Sequence, residues 1–382
     1  MLGINSNINS LVAQQNLNGS QSALSQAITR LSSGKRINSA ADDAAGLAIS
    51  TRMQSQIDGL NQGVSNANDG VSMIQTASSA LSSLTSSLQR IRQLAVQAST
   101  GTLSPSDQAA LQQEVSQQIA EVNRISSQTT YNGTNILNGS AGNVTFQVGA
   151  NVGQTISLNL SQSMSAAQIG GGLVQTGATV GTVNVSLTAS GVYTSAANPT
   201  ITSINVLSDG QGGYTFTDQN NQAIAETVAA AVFGAGATAG TGTQVAPLVL
   251  QGAATTTAGA GSAAQAAAVA QINAINTPPT VSGLNISTVT GANQAMVSID
   301  NALQTVNNLQ ATLGAAQNRF TAIATSQQAE STDLSSAQSQ ITDANFAQET
   351  ANLSKAQVLQ QAGISVLAQA NSNPQQVLKL LQ

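Results

Sequence analysis

Residues 299–344 read IDNALQTVNNLQATLGAAQNRFTAIATSQQAESTDLSSAQSQITDA. Within this stretch Ile299, Ala302, Val306, Leu309, Leu313, Ala316, Phe320 and Ile323 recur at alternating intervals of three and four. The row passes through Gln327 and Glu330 and resumes with Leu334, Ala337, Ile341 and Ala344. That spacing is the seam of a helix packed along another helix. Twelve of the fourteen seam positions over 46 residues are apolar. At 1.5 Å per residue the helix extends about 70 Å, more than a compact globule requires. A helix buried inside a large core would carry a wider apolar face than this narrow stripe.

A partner with the same rhythm lies upstream. Ile74, Ala77, Leu81, Leu84, Leu88, Ile91, Ala95 and Ala98 again step by threes and fours. Ser104-Pro105-Ser106-Asp107 then combines an N-cap, a proline at the first helical position and an acid at the third. Leu111, Val115, Ile119, Val122 and Ile125 supply the apolar face of the helix it starts, antiparallel to the preceding one. Ser39 with Asp42 is a weaker start signal of the same kind. At the ends, Ile4, Ile8 and Leu11 with Leu24, Ile28 and Leu31 mark an N-terminal amphipathic helix. Leu353, Leu359, Ile364, Leu367, Val377, Leu378 and Leu381 mark a C-terminal one.

Between these helical thirds the period changes. Asn132-Gly133 and Asn138-Gly139 are turn signals. Val144, Phe146 and Val148 alternate with polar residues, as do Ile156, Leu158 and Leu160, and Gly149–Gly153 separates the two runs, which predicts a β-hairpin. Strands are expected over Val180–Leu187 and Ser203–Leu207, and a short helix near Ala263–Ala270. The chain is thus expected to be mainly α with a β-rich insert: long antiparallel coiled-coil-like helices from both termini, a β-hairpin region and a small outer β-rich domain. The expected segments are 1–42, a helical core with the hairpin over 43–164, the β-rich domain at 165–290, a return helix over 291–341 and a last helix over 342–382. Both terminal helices are too thinly apolar to be stable alone. They are expected to order only when neighbouring copies bury their stripes.

Composition narrows the chemistry. The chain has 382 residues, no His, no Cys and no Trp. It therefore offers no side chain titrating unperturbed near neutrality, no imidazole or thiolate ligand and no disulfide. Asp42-Asp43 has no nucleophile or metal partner beside it, so no catalytic, cofactor-binding or metal-binding residue is expected. Charged residues make up 7% of the chain, against roughly 25% in an ordinary soluble domain. Ten scattered basic residues and a net charge of −5 argue against nucleic-acid binding. No window reaches the ~18 consecutive apolar residues of a spanning helix, so no membrane insertion is expected, and the N-terminus has no secretory signal pattern. From Ile125 to Ser298 the only charges are Asp209, Asp218 and Glu226. Seven of the ten bases, Arg30, Lys35, Arg36, Arg52, Arg90, Arg92 and Arg124, lie in the first third, whereas the last holds Asp300, Glu330, Asp333, Asp343 and Glu349 with only Arg319, Lys355 and Lys379 basic, an asymmetry suited to fixing which faces meet.

Three runs carry a resemblance. Leu31-Ser32-Ser33-Gly34-Lys35-Arg36-Ile37-Asn38-Ser39-Ala40-Ala41-Asp42-Asp43-Ala44-Ala45-Gly46 resembles the N-terminal signature of bacterial flagellin, as does Asn66-Ala67-Asn68-Asp69-Gly70 followed by Leu88-Gln89-Arg90-Ile91-Arg92-Gln93-Leu94-Ala95-Val96-Gln97. Ser354-Lys355-Ala356-Gln357-Val358-Leu359-Gln360-Gln361-Ala362-Gly363 resembles the C-terminal one. The resemblance covers about 1–160 and 295–382.

It implies a homopolymer: a subunit of the helical flagellar filament used for swimming, with residues 1–42 and 342–382 paired in an inner tube. It further implies export, unfolded, through the flagellar type III channel, an extracellular location, and an export chaperone, a filament cap and hook–filament junction proteins as partners. The terminal assembly residues would be Ile4, Ile8, Leu11, Leu24, Ile28, Leu31, Leu353, Ile364, Leu367, Leu378 and Leu381. Arg90, Leu94 and Glu114 match positions that Toll-like receptor 5 engages on a face that is also the lateral subunit contact, although Gln93 departs from the Glu usual there. Val377–Leu381 resembles the tail read by cytosolic inflammasome receptors, with Gln382 in place of the usual Arg. The alternatives are a hook–filament junction protein and a secreted adhesin or immune ligand.

Overall fold

The computed structural model describes residues 7–190, 192, 199–233, 248–250 and 262–380. Ile4 and Leu381 lie outside the described residues. The chain forms two compact units, one of residues 1–68, 147–155 and 321–382, the other of residues 69–146 and 156–320.

Five helices supply the framework: α1 (Ile8–Ser33), α2 (Ala44–Ala98), α3 (Pro105–Gln128) and, after the β-rich segment, the long α6 (Val289–Thr342) and α7 (Phe346–Leu380). α2 and α6 contain 55 and 54 residues, so each runs about 80 Å at the α-helical rise. The seams expected from sequence are the buried faces. In the second unit Ile74, Ala77, Leu81, Leu84, Leu88, Ile91 and Ala95 are fully enclosed, as are Ile299, Ala302, Val306, Leu313 and Phe320. Arg92 meets Asp300 across this antiparallel pair, 2.7 Å from Nε to Oδ1. Phe320 is accommodated by Gly70, where a methyl group would fall 2.7 Å from the ring. Phe146 packs edge-on against Phe320, ring centroids 5.2 Å apart.

α3 begins as its sequence predicts. The Ser104 hydroxyl accepts from the Asp107 amide at 3.2 Å, and the Asp107 carboxylate accepts from the Ser104 amide at 3.2 Å. This reciprocal pair is a capping box with Pro105 at N1. The start of α2 differs from the Ser39–Asp42 expectation. Asp43 is its cap, with Oδ1 accepting from the Gly46 amide at 2.9 Å. Asp42 instead closes the turn before it, with Oδ2 accepting from the amides of Asn38 and Ser39 at 3.1 and 2.9 Å. Two adjacent acids therefore hold two consecutive turns.

The strands are β1 (Thr130–Tyr131), β2 (Thr134–Asn135), β3 (Gly142–Gln147), β4 (Thr155–Leu160), β5 (Thr179–Leu187), β6 (Ile201–Ser208) and β7 (Tyr214–Asp218). β1 and β2 pair across Asn132-Gly133, whose φ angles are 48° and 79°. β3 and β4 form the hairpin expected from the alternation. β5, β6 and β7 form an antiparallel sheet in that order. Helices α4 (Glu226–Phe233) and α5 (Ser262–Asn276) join its core, in which Val183, Leu187, Ile204, Val206, Val232 and Ile272 are buried and Phe216 stacks on Phe233 at 5.0 Å. β7 and α4 were not expected from the sequence, and α5 is longer than the short helix expected near Ala263–Ala270. Asp209 and Asp218 are turn formers. Each Oδ1 accepts two amides, from Gln211 and Gly213 and from Asn220 and Gln222, at 2.7 to 2.8 Å.

In the first unit the hairpin tip sits on α2. Gly59 and Gly63, one turn apart, leave room for the backbone of Ala150 and Val148, and side chains at either position would strike it. Ser331 Oγ donates to Asn61 Oδ1 at 3.0 Å and Gln338 Nε2 to the Ser50 carbonyl at 3.0 Å, an antiparallel α2–α6 alignment. The connections α1–α2 and α6–α7 are also joined. Lys35 and Asp343 form an antiparallel β-bridge, the Ala344 amide donates to the Gly34 carbonyl at 2.9 Å, and Arg36 donates to the carbonyls of Ile341 and Thr342, each at 2.6 Å.

Replacing Phe320 by Ala is expected to destabilise the chain by about 3–5 kcal/mol, the usual cost of emptying a large core site, as measured by denaturant unfolding. A second expectation concerns acid. The amides of Asn38 and then Ser39 hold the Asp42 carboxyl below the ordinary aspartate range. A depressed folded-state pKa gives stability that is present above the unfolded value and lost as pH falls through the folded one. Hydrogen exchange at Asn38 and Ser39 should therefore accelerate on acidification beyond the intrinsic trend, and Asp42→Asn should remove that excess pH dependence.

Candidate assembly surface

α1 and α7 pair antiparallel within the first unit, and their contact residues are small. On α7 the covered positions are Glu349, Leu353, Ala356, Gln360, Gly363, Leu367 and Ala370, a strict alternation of four and three. On α1 they are Ser10, Ala13, Leu17, Ser20, Leu24, Ala27 and Leu31. Ala13, Ala27, Ala356 and Ala370 are buried, and the leucines in these two rows are mostly but not fully covered. Arg30 of α1 approaches Glu349 at 3.7 Å.

Larger aliphatic side chains on the same helices point away from the seam. Leu11 is 69% exposed, Ile8 63%, Val12 51% and Ile28 50% on α1. On α7 Phe346 is 70% exposed, Val358 66%, Val366 56% and Ile364 54%. A shallow groove of about 550 Å³ runs between the helices, lined in part by Ala13, Asn16, Leu359, Gly363 and Val366. The α6 seam also opens in this unit, since Ile323, Gln327, Leu334, Ala337 and Ile341 are only partly covered and Glu330 is exposed.

The residues singled out from the sequence therefore separate into two sets. Leu24, Leu31, Leu353 and Leu367 belong to the intramolecular seam, whereas Ile8, Leu11, Ile28 and Ile364 lie outside it. Leu378 falls within α7, and Ile4 and Leu381 outside the described residues. Ala13, Ala27, Ala356, Gly363 and Ala370 do not stand out in a pattern of large side chains, and the three-and-four spacing of the small residues is their signal in the sequence. Val12, Val358 and Val366 are further exposed positions outside the expected set.

Elsewhere, in the second unit, Arg90 and Glu114 come together across α2 and α3, with Nη2 to Oε1 at 2.6 Å and Gln93 Oε1 accepting from Arg90 at 3.4 Å. Leu94 does not join that surface. It is 1% exposed and belongs to the core face of α2, four residues after Arg90 but turned inward with Ile91 and Ala95. Two ion pairs link bases of the first third to acids of the last third, Arg92–Asp300 and Arg30–Glu349, while Arg90–Glu114 and Arg124–Glu121 stay within the first third. No group of three acids that could hold a metal ion occurs among the described residues. Among the same residues no helix is long and apolar enough to cross a membrane.

Comparisons with known proteins agree with this architecture. Residues 4–142 match the bacterial flagellin N-terminal helical region, 172–278 the flagellin D2 domain and 296–381 the bacterial flagellin C-terminal helical region. The chain is 37% identical to flagellin B of Vibrio cholerae, covering 100% of this chain and 99% of that one. It is 35% identical to the B-type flagellin of Pseudomonas aeruginosa over the whole of both chains. The solved structure of FliC from Burkholderia pseudomallei superposes with a TM-score of 0.60 at 66% identity, covering 65% of this chain and 99% of that one. With paired terminal helices, a hairpin seated on α2 and matches along its whole length, the chain belongs to the bacterial flagellin family.

Proposed function

We propose that the aliphatic residues outside the α1–α7 seam are covered by other copies of this chain in a helical filament. The observation that carries this reading is the inversion of side-chain size on the terminal pair. Alanines take the most enclosed positions of the intramolecular seam, while Leu11, Ile8, Val358 and Ile364 face outward at half exposure or more. Exposed apolar area of this kind marks an interaction surface, and helices this thinly covered gain most of their stability from packing. As a flagellin the chain is a filament subunit, and this surface is the part of it suited to repeated contact.

The finer assignments follow from that role. The terminal helices 1–42 and 342–382 form the inner tube, order on assembly, and are held by an export chaperone before passage through the type III channel. Filament cap and hook–filament junction proteins act at the growing and proximal ends, and the polymer lies outside the cell. Residues 165–290 form the variable outer domain. The protein is a structural element of swimming motility with no enzymatic step. Arg90 and Glu114 supply a charged lateral contact that Toll-like receptor 5 also engages, with Gln93 beside them in place of an acid, and Val377–Leu381 is the tail presented to cytosolic receptors.

Purified chain seeded with sheared filament fragments should elongate into helical filaments visible by electron microscopy, and persistence of monomer under seeding would refute the reading. Leu11→Glu and Val358→Glu should each slow elongation at least tenfold while leaving denaturant unfolding of the soluble chain within about 0.5 kcal/mol, as expected for surface changes.

A further inference from the structure

The start of α1 and the end of α7 meet at one side chain. Asn7 is the N-cap of α1, with Oδ1 accepting from the Ser10 amide at 3.3 Å. Its Nδ2 donates to the Ala370 carbonyl of α7 at 2.7 Å. That carbonyl is unlike its neighbours. Its partner in the helical ladder would be the amide of the residue four positions on, which is Pro374, and proline has no N–H. Pro374 lies within α7, and Ala370 is a buried seam residue, so the orphaned acceptor sits at the seam, largely shielded from solvent. A buried carbonyl without a donor costs free energy comparable to a lost hydrogen bond, and the Asn7 amide supplies the missing donor. Ser10 Oγ adds a bond to Asn371 Oδ1 at 2.7 Å one position along.

We propose that Asn7 and Pro374 form a register lock for the terminal pair, with Asn7 as a positioning residue for assembly. Apart from the Arg30–Glu349 pair at the opposite end of α1, the seam selects register weakly. Its other buried positions are alanines, and an alanine seam presents nearly the same profile after a slip of one heptad. A slip of one heptad, about 10 Å, toward the middle of α7 places Asn7 against the Gly363 carbonyl, which already has the Leu367 amide of the helical ladder. Against that slip Ala370 offers the Asn7 donor an unfilled acceptor, so the observed alignment is favoured by a polar contact, as a single buried polar residue fixes register in a coiled coil. The same alignment sets the outward rows Ile8, Leu11 and Ile28 against Val358, Ile364 and Val366, the combined surface that a neighbouring copy has to match. This consequence rests on the assembly reading, whereas the lock itself rests on the two hydrogen bonds.

The absence of cysteine makes the register directly measurable. Cβ of Leu17 lies 3.9 Å from the position a Cβ would take on Gly363, within the range a disulfide spans. Leu17→Cys with Gly363→Cys reports the observed register, and Leu17→Cys with Ala356→Cys reports the one-heptad slip that would set Asn7 against Gly363. Asn7→Asp keeps the capping acceptor and suits a helix N-terminus, but it removes the donor and turns an oxygen toward the Ala370 carbonyl. In seeded filaments oxidised with copper phenanthroline, Asn7→Asp should at least halve the in-register cross-link and raise the slipped one. It should also raise the residual subunit concentration about tenfold. In a Pro374→Ala background, where a backbone amide fills the Ala370 carbonyl, the same substitution should change the cross-link ratio and residual concentration less than twofold. Equal effects in both backgrounds, or a cross-link ratio indifferent to Asn7→Asp, would overturn the lock. If the parent chain fails to elongate, the assembly reading falls instead. The same cysteine pairs oxidised in the soluble chain then decide the register by the same criteria.

Discussion

A helix of more than fifty residues is held straight and in place by what its seam meets at every second turn. Along α2 and α6 that contact is apolar and closed over the second unit, where Leu81, Leu84 and Leu88 of α2 and Val306, Leu313 and Phe320 of the return helix have no exposed surface. Burial on this scale is the favourable term that the rest of the architecture relies on, at roughly 25 cal/mol per Å² of apolar area. The glycine at position 70 and the edge-on Phe146 show how closely the contact is fitted. The capping box of α3 and the β5–β7 sheet with its own apolar core are organised around or beyond this seam.

In the first unit the same spacing continues with different chemistry. Gln327 and Glu330 interrupt the α6 row, and alanine replaces leucine at the buried positions of α1 and α7. Small side chains bring two helices close, yet they remove little area from water, so the pair contributes modestly to its own stability. The large aliphatic side chains that would ordinarily close a seam face outward. A chain that withholds its apolar residues from its own core in this way is organised for burial by others.

Much of this was legible in the sequence, because the dominant signal was periodic. Ile299 to Phe320 and Ile74 to Ala98 are read correctly from spacing alone, and the Ser104–Asp107 box and the Asn132-Gly133 turn are local motifs whose geometry their residues dictate. The failures have physical causes. Asp42 and Asp43 carry the same side chain, and only the fold shows which one caps α2 and which closes the preceding turn. Leu94 follows Arg90 by four residues, a net offset of about 40° around the helix, and at the edge of a narrow apolar stripe that offset separates an exposed position from a core one. β7 and α4 lie in a Gly-, Ala- and Thr-rich region whose weak periodicity gives no firm pattern, and there tertiary packing decides. The alanine seam escaped notice because hydrophobic patterning weighs bulk, whereas close helix approach selects for its absence.

The paired connections at Lys35 and Asp343 have a mechanical consequence. Both chain breaks of the first unit fall at one level and are stitched by backbone hydrogen bonds, with Arg36 reaching the carbonyls of Ile341 and Thr342. Tension or torsion entering through either terminal helix therefore crosses into α2 and α6 over two covalent strands and a transverse ladder acting in parallel. The connection behaves as one coupled joint, through which the two terminal helices bend together.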